Sequence, residues 1–292
     1  MHSQAVSVIV TTYRSPRSLT FVLLALARQT LLPAEVLVAD DGSPADTRDA
    51  LADLCRALPF PVVHVWQPDE GFRAARSRNN AIHLAGSMRL AFLDQDTLPH
   101  CRWLATHMAC LRPGVMCLGH VCDLPEDVVA RLSPELVAAG EFETVLTPLD
   151  ARELNRLQRK ATCYAWLRAL GMGVKAKPKL RASNMAIGRA ELLAVNGFDE
   201  AYVGWGQEDD DLGRRLYMAG LRPCMLIDRA LVSHIPHALR RPVDWRSGAN
   251  VQRYRMALRD ARCTAGLDQH PHADVQVTRF EAGRLQSAGP AP

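Results

Sequence analysis

The sequence predicts an α/β protein, with a mixed, mainly parallel sheet flanked by helices. Two observations carry that expectation. Short β-rich runs alternate with amphipathic helical stretches through the first half of the chain, and alternation at this spacing marks βαβ units. The chain is also ordinary globular material: 292 residues, 48 % hydrophobic and 23 % charged, enough to bury a sizeable core. In such sheets ligands bind at the carboxyl ends of the strands, where loops and helix N-termini gather.

Taken in order, the first-half strands are Val6–Thr12, Glu35–Ala39, Val62–Trp66 and Arg89–Leu93, separated by helices Ser18–Arg28, Asp46–Ala57 and Arg73–Ala85. Residues 123–180 read as helical and polar with few strands, and end in the basic loop Lys175–Arg181. Regular structure resumes at Ser183–Gly188, followed by the turn Asn196-Gly197-Phe198-Asp199 and a helix from Glu208 to about Ala219. Two short strands, Cys224–Ile227 and Ala230–Ser233, follow. From Leu239 the chain is arginine-rich, and beyond Thr264 it has no clear periodicity. Its last stretch, about 25 residues, reads as a loosely attached or disordered tail.

Several function classes fall away on composition. A net charge of +4 with interspersed signs does not imply nucleic-acid binding. No stretch approaches the roughly 20 apolar residues of a membrane span. The chain runs into Val6–Val10 without a charged leader, so no signal peptide is expected. Eight scattered cysteines without a Cys-x-x-Cys pair argue against a zinc ribbon or a secreted disulfide framework, and for a reducing cytoplasm. Neither a Gly-x-Gly-x-x-Gly nor a Walker-type loop occurs, which disfavours nicotinamide dehydrogenases and P-loop ATPases.

The chemistry concentrates at strand ends. Asp94-Gln95-Asp96 closes the apolar run Leu90-Ala91-Phe92-Leu93. Two carboxylates leaving the core together repel each other and cost desolvation energy unless a cation sits between them. Mg²⁺ or Mn²⁺ suits such oxygen ligands together with a bound phosphate. Thr11-Thr12-Tyr13 and Asp40-Asp41-Gly42-Ser43 bring polar groups to the same edge, where Tyr13 and Asp41 would serve a base and ribose. The plainer reading of Asp40–Ser43 is a tight turn and helix N-cap. Arg73, Arg76 and Arg78 at a helix start are candidate phosphate partners, or simply solvate an exposed face.

Further along, Gly204-Trp205-Gly206-Gln207 leads into Glu208-Asp209-Asp210-Asp211. Four carboxylates complement a helix dipole, yet on a helix they point in several directions. Trp205 could be a platform for a sugar ring, and one carboxylate could take a proton from an acceptor hydroxyl. His234 and His237, after the last strand, could complete a metal shell begun by Asp96.

Together these residues resemble the inverting glycosyltransferases of family 2, with the Rossmann-like GT-A fold of nucleotide-diphospho-sugar transferases. The C-terminal half looks like the galactosyltransferase-type module of that group. The resemblance runs over about residues 5 to 238, from Val6–Tyr13 through Gln29-Thr30, Glu35–Ser43, Arg78-Asn79 and Asp94–Asp96, to Asn184-Met185-Ala186, Asn196–Glu200 and Gly204–Asp211. It implies that Thr11, Tyr13 and Asp41 hold the nucleoside and that Arg78 contacts the diphosphate. Asp94 would meet the ribose or a metal-bound water. Asp96 and His234 would bind the metal, with His237 a further candidate. Asp209 matches the general base, while Trp205, Glu208 and Asp210 would shape the acceptor site. Residues 1–120 would then form the donor half, 121–238 the acceptor and catalytic half, and 239–292 a C-terminal extension with a partly disordered tail.

The activity implied is Mn²⁺- or Mg²⁺-dependent, inverting transfer of galactose or an N-acetylhexosamine from a UDP-sugar. The acceptor would be a hydroxyl of a glycan, a lipid-linked molecule or a small molecule. The expected location is the cytoplasm, either free or peripheral to the inner face of the membrane. The basic loop at 175–181 and Arg240, Arg241 and Arg246 read either as solvated loops or as a contact for an anionic glycan, a lipid diphosphate or a membrane surface. Two other readings compete. A nucleotidyltransferase would need a triphosphate-binding loop near the first strand, which Thr11–Pro16 lacks. A noncatalytic sugar-nucleotide-binding scaffold would have no need of a base at Asp209.

Overall fold

A computed structural model describes residues 5–172, 178–237, 245–269 and 274–282. Four parallel strands form its centre: Val6–Thr12 (β1), Glu35–Asp40 (β2), Val62–Trp66 (β3) and Arg89–Asp94 (β4). Helices Pro16–Ala27 (α1), Ala45–Leu54 (α2) and Ala74–Leu84 (α3) make the connections. The middle of the chain supplies Thr97–Pro99 (β5), Trp103–Cys110 (α4), Val115–Leu118 (β6), His120–Asp123 (β7), Glu126–Arg131 (α5), Pro134–Ala139 (α6) and the long Pro148–Ala169 (α7). Then come Asn184–Gly188 (β8), Arg189–Ala194 (α8), Glu208–Met218 (α9), Arg222–Met225 (β9), Leu231–His234 (β10), Ala249–Arg255 (α10) and Gln276–Phe280 (β11).

The large sheet has the order β11-β3-β2-β1-β4-β8-β6-β9, and β5-β10-β7 form a small second sheet. Only β8 and β11 run against the rest of the large sheet. It is therefore the mixed, mainly parallel sheet that the sequence predicts.

Strand periodicity divides the core. Val8, Val10, Val36 and Val38 point to one face, where Leu19, Leu23 and Leu26 of α1 cover them. Ile9 and Leu37 point to the other face, under Ile82 of α3 and Leu212 and Leu216 of α9. Each of these side chains is essentially fully buried, contributing about 1.5–3 kcal/mol apiece. Because both faces are covered, the strands read as continuous apolar runs.

Several short strands escape sequence reading. β5, β6 and β7 have three or four residues each, too few to show a period. β11 puts a strand within the last stretch, about 25 residues, expected to be a loosely attached or disordered tail. It pairs antiparallel with β3, Val277 opposite Val65 and Phe280 opposite Val62, and caps the sheet edge. Lys175–Lys177, Arg240, Arg241 and the end of the tail lie outside the described residues. Among the described residues no helix is long and apolar enough to cross a membrane. All eight cysteines are free thiols.

The two sheets are joined by one buried amide. Asn184, at the start of β8, donates from Nδ2 to the carbonyls of His120 and Ala230, each at 2.8 Å. Its Oδ1 accepts from Trp103 Nε1 at 2.8 Å and His107 Nε2 at 2.9 Å. Gly119 leaves the space for it, since a Cβ there would lie 2.3 Å from Asn184 Oδ1. All four hydrogen-bonding positions of the amide are thus used, and β7 and β10 are fixed against the main sheet.

Candidate functional site

Strand register brings the polar ends together. Thr11 is opposite Asp94, and Thr12 is opposite Asp40. They open onto a cleft of about 590 Å³ whose lining includes Thr11, Tyr13, Asp41, Phe72, Arg78, Asp94, Asp96, Trp205 and His237. Gln95 fixes the floor. Its Oε1 accepts from Thr12 Oγ1 at 2.6 Å and from the Tyr13 N–H at 2.8 Å. This staple turns Gln95 to β1 and leaves the flanking carboxylates to the cleft.

The two aspartates of Asp40–Ser43 take different places. Asp40 makes the turn, accepting from the Ser43 N–H at 2.8 Å and meeting His64 Nε2 at 2.8 Å. Asp41 reaches the cleft, held by Gln67 Nε2 at 2.6 Å and the Arg73 N–H at 2.7 Å. Burial pushes its carboxyl up to about 6, against the pull of those donors. Gly42 is obligatory after them: its φ is +94°, and a Cβ would lie 2.5 Å from the backbone of Asp69. Asp69 in turn accepts from the Tyr13 hydroxyl at 2.9 Å and from Arg14 Nη2 at 2.8 Å.

Of the three helix-start arginines, only Arg78 serves the cleft. Arg73 pairs with Glu70 at 2.6 Å, and Arg76 with Asp274 at 2.6 Å. Arg78 is 4 % exposed and gathers four partners. Its Nε donates to Thr11 Oγ1 at 3.0 Å and its Nη2 to Asp94 Oδ1 at 3.0 Å. Its Nη1 lies 3.4 Å from Glu208 and 3.6 Å from Asp209. The guanidinium also stacks 5.3 Å over the Phe198 ring. One cation thus links the end of β4 to the start of α9.

The four carboxylates of α9 diverge as helix geometry requires. Asp211 turns inward to Arg215 at 2.6 Å and Arg214 at 2.8 Å, a structural role. Asp210 pairs with Lys179 at 3.2 Å, and neither it nor Glu208 nor Asp209 is among the side chains that line the cleft. Glu208 and Asp209 meet Arg78. Asp209 Oδ2 accepts from the Ala182 N–H at 2.9 Å, while its Oδ1 is buried without a hydrogen-bond partner. Burial raises its carboxyl to about 7; Glu208 and Asp94 push the same way, and Arg78 and the Ala182 N–H oppose them. The helix is entered through Gln207 at φ +77°, a left-handed backbone uncommon outside glycine.

Asp96, His234 and His237 converge, each offering one ligand atom, with all three atoms within 4.8 Å of one another. Asp96 Oδ2 lies 2.8 Å from His237 Nε2 and 3.8 Å from His234 Nε2. Burial acts to raise the Asp96 carboxyl, but the two imidazoles hold it down at about 2, ready to bind a cation. His234 meets Asp123 through its other nitrogen, Nδ1, at 2.7 Å. A carboxylate behind an imidazole in this way orients a metal ligand. The donor set fits a divalent ion, and both histidines lie within reach of it.

Gln95, Asp69, Asp123 and Asn184 are site or support residues that sequence reading passes over. Two of them carry a sequence signal without a role: Gln95 lies between the two aspartates, and Asn184 opens the Asn184-Met185-Ala186 element of the family resemblance. The others depend on pairings between distant segments.

Residues 7–114 match the family described as Glycosyl transferase family 2, and residues 174–243 match the N-terminal domain of galactosyltransferase. Validoxylamine A glucosyltransferase of Streptomyces hygroscopicus subsp. limoneus is 31 % identical over 238 residues, covering 75 % of this chain and 49 % of that protein. Hyaluronan synthase of Pasteurella multocida is 28 % identical over 235 residues, covering 73 % of this chain and 23 % of that one. The chain therefore spans half or less of the length of these two relatives. Among solved structures, S. aureus TarS 1-349 in complex with UDP aligns with a TM-score of 0.53 at 20 % identity, over 80 % of this chain and 60 % of that one. That likeness is one of fold, the GT-A fold. By sequence and fold, then, the chain belongs to glycosyl transferase family 2 over residues 7–114, joined to a galactosyltransferase-type module over residues 174–243.

Proposed function

We propose that this chain is a metal-dependent, inverting glycosyltransferase that moves a sugar from a UDP-sugar to a hydroxyl of a glycan, lipid-linked or small-molecule acceptor. The observation that carries the reading is the Arg78 bridge: one buried guanidinium joins Asp94 at the donor edge to Asp209, a carboxyl raised to about 7. A proton acceptor poised near neutrality beside a charged cleft is what a hydroxyl nucleophile needs.

In this mechanism Tyr13 and Asp41 hold the uracil and ribose, and Arg78 orients the diphosphate. Asp209 takes the proton of the acceptor hydroxyl through Oδ1. The acceptor oxygen then forms a bond to the anomeric carbon from the face opposite the diphosphate. The bond from that carbon to UDP breaks, the electron pair leaves with UDP, and the configuration inverts. A divalent ion held by Asp96, His234 and His237 would offset the charge gathering on the leaving diphosphate. Two imidazole ligands favour Mn²⁺ over Mg²⁺, which prefers an all-oxygen shell. Trp205, at the cleft, would stack on the transferred sugar or the acceptor, and Glu208 would set the charge around the base. Galactose, glucose and N-acetylhexosamines are the donors to try first.

The test is a thermal-shift panel of UDP-, GDP- and dTDP-sugars, each with and without Mn²⁺. Stabilisation by UDP-sugars that grows with Mn²⁺ is expected. Indifference to every nucleotide would refute the reading.

A further inference from the structure

We propose that the outward face of α7 is a docking surface for an anionic lipid membrane. One side of α7 is committed to the fold. Leu154 is buried, and Gln158 bonds the main chain of Met225 at 3.0 Å and Ile227 at 2.8 Å. On the opposite side stand Arg152, Arg156, Arg159, Cys163, Trp166 and Leu170, all exposed. Steps of four and three residues put them in one line along the helix.

The line has two halves. The first three residues are arginines, and among the described residues only Arg156 is ion-paired, to Glu153 within the same helix. The far end is apolar: Trp166 is 67 % exposed, Leu170 66 %, and Met172 just beyond 59 %. An indole and a leucine held out in water at the tip of a cationic row match the interfacial amphiphile, whose cations meet headgroup phosphates while its apolar end enters the acyl boundary.

Charge selects the occupant. Over residues 148–169 five cationic side chains face two carboxylates. A second copy docking on the same face with the helices parallel would set arginine row against arginine row. A folded peptide partner would want a groove. The cavity of about 360 Å³ near α7 opens instead on its inner side, between Leu154, Leu157 and Cys122. A flat anionic surface meets both the charge and the convex shape. The inference deepens the transferase reading, where a lipid-linked acceptor would lie at such a surface, but its test requires no activity.

The test is flotation of the full chain with vesicles of phosphatidylcholine alone and with vesicles of phosphatidylcholine and phosphatidylglycerol. Binding to the anionic vesicles only, weakened by salt, is expected. Replacing Arg152, Arg156 and Arg159 together by glutamine should weaken it on the order of 100-fold, at about 1 kcal/mol for each cation near the surface. Trp166→Ser with Leu170→Ser should weaken it independently. All five side chains are exposed, so unchanged far-UV circular dichroism and melting confirm the fold of each variant. The proposal is overturned if the wild type does not float with anionic vesicles, or if both variants float as it does. It is also overturned if gel filtration finds a dimer that the serine variant abolishes.

Discussion

Replacing Asp209 by asparagine should stop transfer and stabilise the protein in one stroke. The carboxyl is raised from 3.8 to about 7, chiefly by burial. At about 1.4 kcal/mol per tenfold in acidity, ionised Asp209 costs the folded state up to about 4 kcal/mol. The sign follows from linkage. Below pH ~4 the carboxyl is protonated in folded and unfolded chains alike, and the cost is absent. Between about 4 and 7 the unfolded chain releases the proton while the folded chain keeps it, so stability is lost as pH rises. Above about 7 the whole cost is present. Asparagine stays neutral and keeps an oxygen to accept the Ala182 N–H. Wild type and variant should therefore unfold at the same urea concentration near pH 4, and separate steadily toward pH 8, the variant being the more stable. Transfer should fall by roughly 10²–10⁴ while UDP affinity holds. A stability difference that does not grow with pH, or a fall in transfer well short of about 100-fold, would show that Asp209 is not the base.

Three further outcomes are expected. Asp41, raised to about 6, accepts from a uracil imide most strongly when ionised. UDP affinity by calorimetry should thus fall as pH drops through about 6, and Asp41→Asn should be weak and pH-independent there. Asp96→Ala should abolish the Mn²⁺ dependence of UDP binding, and His237→Ala should weaken it by about 10- to 100-fold at least; equal Mn²⁺ dependence in all three proteins would remove the metal from the site. Asn184→Ala removes the partner of two ring N–H donors and one hydrogen bond to each of the His120 and Ala230 carbonyls, the latter still accepting from the His120 N–H at 3.3 Å. At about 1–3 kcal/mol per unpaired buried group, it should lower urea stability by several kcal/mol, and a loss under about 1 kcal/mol would show that water replaces the amide.

What was legible in the sequence follows from range. β1 to β4 are buried on both faces, so their apolar runs announce them, and the polar residues that end those runs are the ones that reach the cleft. Divergence of the α9 carboxylates is also local geometry. It does not say which way each one points, so Asp210 and Asp211 look as good as Asp209 until Lys179, Arg214 and Arg215 take them. Arg78 likewise cannot be told from Arg73 and Arg76 until Glu70 and Asp274 claim those two. β11 and the Asn184 hub rest on partners more than forty residues away, and nothing local to Gln276–Phe280 or Asn184 names those partners.

The central claim is that Asp209 drives an inverting displacement on a UDP-sugar. It is tested most directly by proton NMR of the protein with Mn²⁺ and α-linked UDP-glucose, UDP-galactose or UDP-N-acetylglucosamine, with water as the acceptor. The account predicts that the first sugar released is the β anomer and that Asp209→Asn abolishes its appearance. Release of the α anomer first, or equal release by the asparagine variant, would contradict it.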